Sequence, residues 1–267
     1  MSLGGTLAVT AGTTLVAFVV TFGIARWRKR YDTVDTLWGP GFALVALVAA
    51  PLGDGSVALR VVTALLTAVW GVRLGVHLHL RNHKLPEDPR YVRMAESAGE
   101  NPALKLFVRV YLVQAVVLWF VSLPVQFAMY GDSFGVTAWL GVVVWLVGFG
   151  FETVGDDQLR RFKADPHNKG KVLDSGLWRY TRHPNYFGDA CVWWGLYLLA
   201  CSSWVGAATI LSPIAMTYTL AKGTGKPLLE KGLQRSRPGY ATYVERTSGF
   251  FPLPPRRRRV SGGRLAR

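Results

Sequence analysis

Cysteine is scarce in this sequence, which has only Cys191 and Cys201 among its 267 residues. Both fall in or beside one apolar run, and they lack the spacing of cysteines that bind a metal ion. We therefore predict no disulfide and no metal site. Internal repeats are also missing, which excludes a repeat array, and the only compositionally biased segment is a basic stretch at the end of the sequence.

Acidic residues are few as well: 16 Asp and Glu stand against 31 Lys and Arg, and the formal net charge is +15. Such a charge raises the question of nucleic-acid binding. The basic residues, however, alternate with long apolar runs, and no nucleic-acid recognition fold lies between them. We therefore predict no nucleic-acid partner. Basic cytoplasmic loops that face anionic membrane lipids explain the charge.

Long apolar runs are abundant in this chain, which is 50% hydrophobic with 10 tryptophans and has a mean hydropathy of +0.23. A helix needs about 20 mostly apolar residues to cross a bilayer. Seven runs reach this length or fall slightly short of it: 5–25, 36–52, 57–80, 106–130, 134–152, 187–201 and 203–221. The sequence thus predicts an all-α, multi-pass protein of the cell membrane with about seven transmembrane helices. The sixth run is short enough to form a tight hairpin with the seventh.

Clusters of Lys and Arg follow the first, third, fifth and seventh runs, whereas the connections at 51–56, 131–133 and 201–204 carry none. Basic residues near the ends of spans stay on the cytoplasmic side. We therefore predict an external N-terminus and a cytoplasmic C-terminus. The first run has no basic segment before it and RWRKR after it, which is typical of an anchor rather than a cleaved signal peptide. Residues 255–267 are predicted to be a basic, disordered cytoplasmic tail.

Polar residues at the ends of two predicted spans have more than one interpretation. Ionisable groups at membrane depth are costly and usually face a cavity or a partner. Asp35, in DTLWGPGF, is either a helix N-cap or part of a site. Glu152, Asp156 and Arg160 recur at intervals of four and therefore share one helix face. That face is either exposed and carries an ion pair, or it is the charged wall of a pocket.

The segment RYTRHPNYFGD concentrates polar side chains where the sixth predicted helix begins, with Pro184 placed to start that helix. Guanidinium groups bind phosphates or carboxylates, Asn offers both a donor and an acceptor, and a helix N-terminus adds positive potential. Lys169 and Lys171 flank Gly170 on a loop that suits phosphate binding. The pattern predicts an anionic cofactor site that includes Arg179, Arg182, His183, Asn185, Tyr186 and Asp189.

These residues carry a family resemblance. RHPNYFGD, preceded by GLWRYT and followed by WWGLYL, resembles the C-terminal region of the steroid 5-alpha-reductase superfamily. With WGPGF, RLGVHL, EDPRY, GDDQL and the closing YATYVERTSGFFPLPP, nearly the whole chain resembles its bacterial branch, domain of unknown function 1295. More distantly, RH-x-NY-x-GD is similar to an element of sterol C14 and C24 reductases, and RHP-x-Y-x-G to one of isoprenylcysteine carboxyl methyltransferases.

The resemblance implies a single integral-membrane, reductase-like domain over residues 1–254, with a cytoplasmic cavity that holds NADPH and a lipid-like enone or polyene. Asp35 falls near the family's catalytic glutamate. The tyrosine that protonates the steroid carbonyl falls near Trp70, which is no acid, so Tyr186 and Asp35 are the candidate catalytic acids. By position or by charge, the expected cofactor-binding residues are Arg81, Asn82, Asp156, Arg160, Lys169, Lys171, Arg179, Arg182, His183, Asn185, Asp189 and, in a late membrane-surface helix at 226–246, Glu230 and Tyr243.

Three functions follow from these observations. The first is an NADPH-dependent reductase of a carbon–carbon double bond in a hydrophobic, steroid-like or isoprenoid-like substrate that enters from the bilayer. The basic density of the predicted site suits the 2′-phosphate and pyrophosphate of NADPH. The alternative is an S-adenosylmethionine-dependent methyltransferase of a lipid-like substrate, and the third is a non-enzymatic lipid-binding or scaffold protein. Membrane lipids are expected partners, and no obligate protein partner is inferred.

Overall fold

The computed structural model describes residues 1–83, 85–97, 99–223 and 225–256. Regular secondary structure in these ranges is helical, apart from an isolated bridge between Thr181 and Ser248. The α-helices are α1 (Leu3–Arg28), α2 (Thr33–Leu52), α3 (Val57–Asn82), α4 (Pro89–Glu96), α5 (Pro102–Leu106), α6 (Val113–Val121), α7 (Leu123–Ala128), α8 (Val136–Ala164), α9 (Pro184–Ala200), α10 (Trp204–Ala207), α11 (Leu211–Ala221), α12 (Lys226–Ser236) and α13 (Tyr240–Arg246). A π-helix joins α5 to α6 at Phe107–Leu112, and 3-10 turns lie at Pro166–Asn168, Gly176–Arg179 and Ala208–Ile210.

Within the described ranges, six helical stretches are long and apolar enough to cross a membrane: Leu3–Arg28, Thr33–Leu52, Val57–Asn82, Pro102–Ala128, Val136–Ala164 and Trp204–Ser236. Their apolar side chains are widely exposed. Helix α3, for example, exposes a stripe at intervals of three or four residues that consists of Val57, Val61, Leu65, Val69, Val72, Val76 and Leu80. A continuous exposed apolar stripe suits a lipid environment. The prediction of an all-α, polytopic membrane protein is confirmed.

The predicted spans and the helices differ in three places. The sixth run is α9, whose 17 residues extend about 25 Å, less than the hydrocarbon thickness of about 30 Å. Helix α8 continues beyond the predicted end at residue 152 to Ala164. The late segment 226–246 is not one helix but two, because Pro238 lacks a backbone N–H and Gly239 adopts a left-handed conformation at φ +85°. Of the predicted tail, residues 257–267 lie outside the described residues.

One of two compact units comprises Met1–Trp145 and Trp193–Ala215. Its helix α1 turns a threonine face inward, where Thr6, Thr10 and Thr14 are buried. The Thr10 hydroxyl donates to the side chain of Gln126, and the Thr14 hydroxyl donates to the backbone carbonyl of Thr10 at 2.8 Å. Buried hydroxyls on a membrane helix are thus satisfied within the protein rather than exposed to lipid.

The contact between α2 and α3 in this unit explains the glycine of the WGPGF motif. A Cβ atom added to Gly39 would lie 2.1 Å from the carbonyl oxygen of Gly71. One added to Gly75 would lie 2.6 Å from the ring of Pro40. The two helices therefore meet backbone to backbone, a packing that only small residues permit. This contact fixes the start of α2, which carries Asp35.

The other unit comprises Leu146–Val192 and Met216–Arg267. Here too, a motif glycine allows close helix packing. A Cβ atom on Gly188 of α9 would lie 2.4 Å from the backbone nitrogen of Glu152 and 2.5 Å from the carbonyl oxygen of Gly148, both on α8. Helix α9 begins at Pro184, as predicted, and the proline ring lies close to Gly155. The segment RHPNYFGD is thereby packed directly against GDDQL.

Candidate functional site

Asp35 is not the N-cap of α2. The helix begins at Thr33 and its N-cap is Asp32, so Asp35 lies inside the first turn. Its Oδ1 accepts a hydrogen bond of 2.7 Å from the phenol of Tyr91, and its Oδ2 lies 3.7 Å from Nη2 of Arg90. The capping interpretation is therefore wrong, and Asp35 is paired with a second titratable side chain.

Tyr91 is almost completely buried, with 5% of its surface exposed. This burial raises the pKa of its phenol well above the usual value, and the neighbouring carboxylate of Asp35 raises it further. Gln114 also contacts the phenol, and the Gln114 side chain accepts a hydrogen bond of 2.8 Å from the indole of Trp38. At neutral pH, Tyr91 is consequently a protonated phenol whose O–H is directed by Asp35 within a polar network.

The EDPRY motif holds Tyr91 in this place. Its Glu87 accepts hydrogen bonds from the backbone N–H groups of Tyr31 and Asp32, and the backbone N–H of Asp88 donates to Asp32 at 3.3 Å. Arg30 adds an ion pair with Asp32 at 2.7 Å. These contacts fix the motif to the connection between α1 and α2. Sequence reasoning recognised EDPRY as a family motif and overlooked its tyrosine as a site residue.

Trp70 lies in the aromatic core of the same unit and is fully buried. Its ring centroid is 5.8 Å from that of Phe42 and 5.5 Å from that of Trp193. Arg81 and Asn82 lie at the end of α3. The Nε of Arg81 donates to Oδ1 of Asn82 at 3.0 Å, and this contact is exposed. Arg81 and Asn82 thus lie in the unit of Asp35, whereas the other predicted cofactor-binding residues belong to the second unit.

Arg182, His183 and Glu230 form a tight cluster in the second unit. Nε of Arg182 donates to Oε1 of Glu230 at 2.8 Å, and Nε2 of His183 lies 3.1 Å from the same oxygen. Nη1 of Arg182 donates to the backbone carbonyls of Val244 and Thr247 at 3.1 and 2.6 Å. The buried guanidinium thus donates hydrogen bonds to groups of the protein itself. These bonds join the residues just before α9 to the C-terminal segment.

His183 is buried, with 3% of its surface exposed. Burial lowers the pKa of its imidazole, although the hydrogen bond to Glu230 opposes this change. The ring stacks on that of Tyr186 with a centroid separation of 5.3 Å. Nearby, burial raises the pKa of Tyr240 to about 12, and the charge of Glu230 contributes. The imidazole is therefore neutral at neutral pH, and Tyr186 is held beside it.

Asn185 and Asp156 form a second polar pair in this unit. Nδ2 of Asn185 donates to Oδ1 of Asp156 at 3.0 Å, which fixes the amide so that its oxygen is the remaining acceptor. That oxygen, Oδ1, is buried and accepts no hydrogen bond from the part of the chain that the structure describes. Asp189 follows one turn later on α9. The pair thus contains one buried acceptor that no described residue satisfies.

Tyr243 supports this pair rather than joining it. Its hydroxyl donates to the carbonyl of Trp178 at 2.5 Å, and the indole of Trp178 donates to the carbonyl of Gly155 at 3.1 Å. Burial raises the pKa of Tyr243 well above the usual value. These contacts explain why the GLW, GDDQL and YATY segments occur together in one sequence.

The remaining predicted cations are on the surface of the second unit. Arg160 pairs with Asp157 at 2.5 Å, while Glu152 and Asp156 are buried. The α8 stripe thus has a buried acidic part and an exposed basic end, and the ion pair of Arg160 is made with Asp157, which lies outside the stripe. Lys169, Lys171 and Arg179 are exposed, and Gly170 between the lysines has φ +83°.

Comparison with known proteins follows from these motifs. The family described as Protein of unknown function (DUF1295) matches residues 21–247. An uncharacterised protein of Schizosaccharomyces pombe is 25% identical over 273 residues, which cover 89% of this chain and 78% of that protein. The 3-oxo-5-alpha-steroid 4-dehydrogenase 1 of Mus musculus is 30% identical over 108 residues, and that of Bos taurus is 30% identical over 113; each match covers 40% of this chain and 42% of the relative. No solved structure matches the chain.

Proposed function

Since this chain belongs to the family described as Protein of unknown function (DUF1295) and is distantly homologous to 3-oxo-5-alpha-steroid 4-dehydrogenase 1, we propose that it is a membrane-embedded oxidoreductase. The reaction is the NADPH-dependent reduction of a carbon–carbon double bond conjugated to a carbonyl, in a hydrophobic steroid-like or isoprenoid-like molecule. The substrate enters from the bilayer of the cell membrane.

The hydrogen bond between Tyr91 and Asp35 carries this proposal. Reduction of a conjugated double bond places negative charge on the carbonyl oxygen, and a proton donor at that oxygen lowers the barrier. Tyr91 is a protonated phenol held 2.7 Å from the carboxylate of Asp35, which lies in the first turn of the apolar helix α2. It supplies the acid that Trp70 cannot supply: its proton, which is hydrogen-bonded to Asp35 before the substrate binds, passes to the carbonyl oxygen, and water then returns a proton to the phenolate.

The residues around Asn185 fit the cofactor. When bound, NADPH supplies the hydride. The buried Oδ1 of Asn185 lacks a donor among the described residues, and an amide or hydroxyl of the dinucleotide provides one. Asp156 holds the Asn185 amide in the accepting orientation, and Lys169 and Lys171 are exposed cations available to phosphates. Arg182 and His183 hold this region in place through Glu230.

A thermal-shift titration of the detergent-purified protein tests the cofactor. A ligand that binds only the folded state raises the melting temperature with concentration. We expect NADPH to raise the melting temperature. Asn185→Ala should reduce this NADPH-dependent rise by more than it lowers the melting temperature of the ligand-free protein. Gln234→Ala, on the exposed surface of α12, is the matched control and leaves the effect unchanged.

The outcomes separate the competing functions. Stabilisation by S-adenosylmethionine and none by NADPH contradicts the reductase and supports methyl transfer. Stabilisation by neither supports a non-enzymatic protein. If NADPH binds, its oxidation is followed by the loss of absorbance of the reduced nicotinamide ring, in the presence of a 4-ene-3-ketosteroid or an isoprenoid enone.

A further inference from the structure

A cleft rich in arginine lies in the second unit. Neither Asn185 nor Asp156 is among its lining residues. It has a volume of about 440 Å³ and is lined by Asp174, Ser175, Gly176, Arg179, Arg246, Thr247, Pro255 and Arg256. Three arginines and one aspartate give the lining a formal net charge of +2. A volume in this range admits a small polar group such as a phosphorylated headgroup.

Two of the three arginines are brought together by a backbone contact of the C-terminal segment. The backbone N–H of Arg256 donates to the carbonyl of Arg246 at 2.9 Å, so their side chains leave adjacent positions. Nη2 of Arg246 pairs with Asp174 at 3.3 Å, while its buried Nε donates no hydrogen bond within the described part of the chain. Arginine side chains that line a cleft are suited to an oxyanion.

Gly176 places the third arginine. Its φ of +59° is left-handed, and a Cβ atom there would lie 2.4 Å from the side-chain amide of Gln158, so only glycine fits. The turn that begins at Gly176 ends at Arg179. Arg179 is exposed, and it lines the same cleft as Arg246 and Arg256.

Exposed apolar side chains border these arginines. The backbone N–H of Leu253 donates to the carbonyl of Tyr180 at 3.0 Å, so the two residues are neighbours. Tyr180 is 43% exposed, Phe251 63% and Leu253 54%. Aromatic and aliphatic side chains next to a basic cluster are typical of the membrane–water interface, where the arginines meet phosphates and the apolar groups meet acyl chains.

We infer that this cleft binds the phosphate of an anionic membrane phospholipid, with Tyr180, Phe251 and Leu253 against the lipid's apolar part. The site is separate from the Asn185–Asp156 pair and does not depend on the proposed reductase activity. It gives the protein a preference for a phosphomonoester, which carries a net negative charge, over a zwitterionic headgroup whose cation the arginines repel.

Binding of short-chain phospholipids to the detergent-purified full chain tests this inference, by native mass spectrometry. The cleft variant is Arg179→Gln with Arg256→Gln, since both side chains are exposed. The control is Lys231→Gln with Arg235→Gln, which removes two exposed cations of α12 that are not in the cleft lining. We expect phosphatidic acid to bind the wild type and the control more tightly than phosphatidylcholine, and the cleft variant to lose about tenfold in affinity, equivalent to about 1.4 kcal/mol.

Equal binding of phosphatidic acid and phosphatidylcholine overturns the inference, as does an unchanged affinity in the cleft variant. A second arm uses 2′,5′-ADP. If that nucleotide stabilises the wild type, if the cleft variant loses this stabilisation, and if phosphatidic acid has no effect, the cleft belongs to the dinucleotide and the lipid assignment is wrong. Loss of NADPH binding in Asn185→Ala alone bears on the proposed function and leaves this inference intact.

Discussion

The phenolic oxygen of Tyr91 lies 2.7 Å from Oδ1 of Asp35, across 56 residues of sequence. Tyr91 is the last residue of EDPRY, in the first turn of α4, and Asp35 is in the first turn of α2. The acid and the phenol are thus hydrogen-bonded and largely buried together, and they are the pair to which we assign proton donation.

Removal of the Tyr91 hydroxyl in Tyr91→Phe should abolish most of the reductase activity. Loss of a positioned general acid costs about 10²–10⁴-fold in turnover. The ring and its packing stay, so the unfolding free energy should fall only by the loss of the hydrogen bond to Asp35, about 1–3 kcal/mol. Steady-state turnover with an enone substrate measures the effect, and Tyr218→Phe, whose side chain is 65% exposed, is the control. Equal turnover in both variants would remove Tyr91 from the chemistry.

Asp35→Asn separates orientation from stability. The amide keeps a hydrogen-bond acceptor for Tyr91 but loses the charge that directs its proton. We expect lower turnover with an unchanged affinity for NADPH. A fall in melting temperature with normal turnover would show instead that Asp35 is only structural. The cofactor titration and the activity assay are therefore made on the same preparation.

Arg182→Ala should destabilise the second unit rather than remove a phosphate ligand. Arg182 and Glu230 are 9% and 13% exposed, and removal of one partner of a buried pair costs about 3–5 kcal/mol. In a double-mutant cycle with Glu230→Gln, the double variant should be less destabilised than the sum of the single variants. Additive effects on thermal unfolding would contradict the coupling.

Acid should weaken the fold through His183. Burial holds the pKa of this imidazole below its usual value, so the unfolded chain binds the proton more readily than the folded chain. Stability contributed by the neutral ring is complete above the ordinary histidine pKa of about 6.5 and is lost as the pH falls through the lower folded-state pKa. Melting temperatures measured from about pH 8 to about pH 5 test this, and they should fall once the pH is below the ordinary histidine pKa of about 6.5. Glu230, Lys226 and Arg182 also act on this ring, and His183→Gln should flatten the profile.

We propose that the N-terminus is external and the C-terminus cytoplasmic, as the alternation of basic connections predicts. Single cysteines introduced at Asp54 and Gly170, in a background without Cys191 and Cys201, should differ in labelling. An impermeant maleimide added to intact cells should modify the first position only. Labelling at residue 170 and not at residue 54 would reverse the orientation.

The helices and several motifs were predictable from the sequence because they depend on local pattern. Apolar length predicts the membrane helices, and Pro184 marks the start of α9. Partners distant in sequence were not predictable from residue type. Arg182 has the chemistry of a phosphate ligand, yet Glu230, 48 residues later, takes its Nε. Asp35 has the chemistry of an N-cap, yet the helix begins two residues earlier at Thr33 and frees its carboxylate for Tyr91.

The contacts of Arg182 also determine when this part of the protein can form during synthesis. Its acceptors are Glu230, Val244 and Thr247, and the hydroxyl of Thr181 donates to the carbonyl of Phe250. During translation, α9 leaves the ribosome while none of these acceptors exists. Because chains are made at about 5–20 residues per second, several seconds pass between the synthesis of Arg182 and the synthesis of its acceptors. The cluster around Arg182 and Glu230 is therefore completed only when the last described segment has been made, and truncation of that segment should leave the cluster unformed.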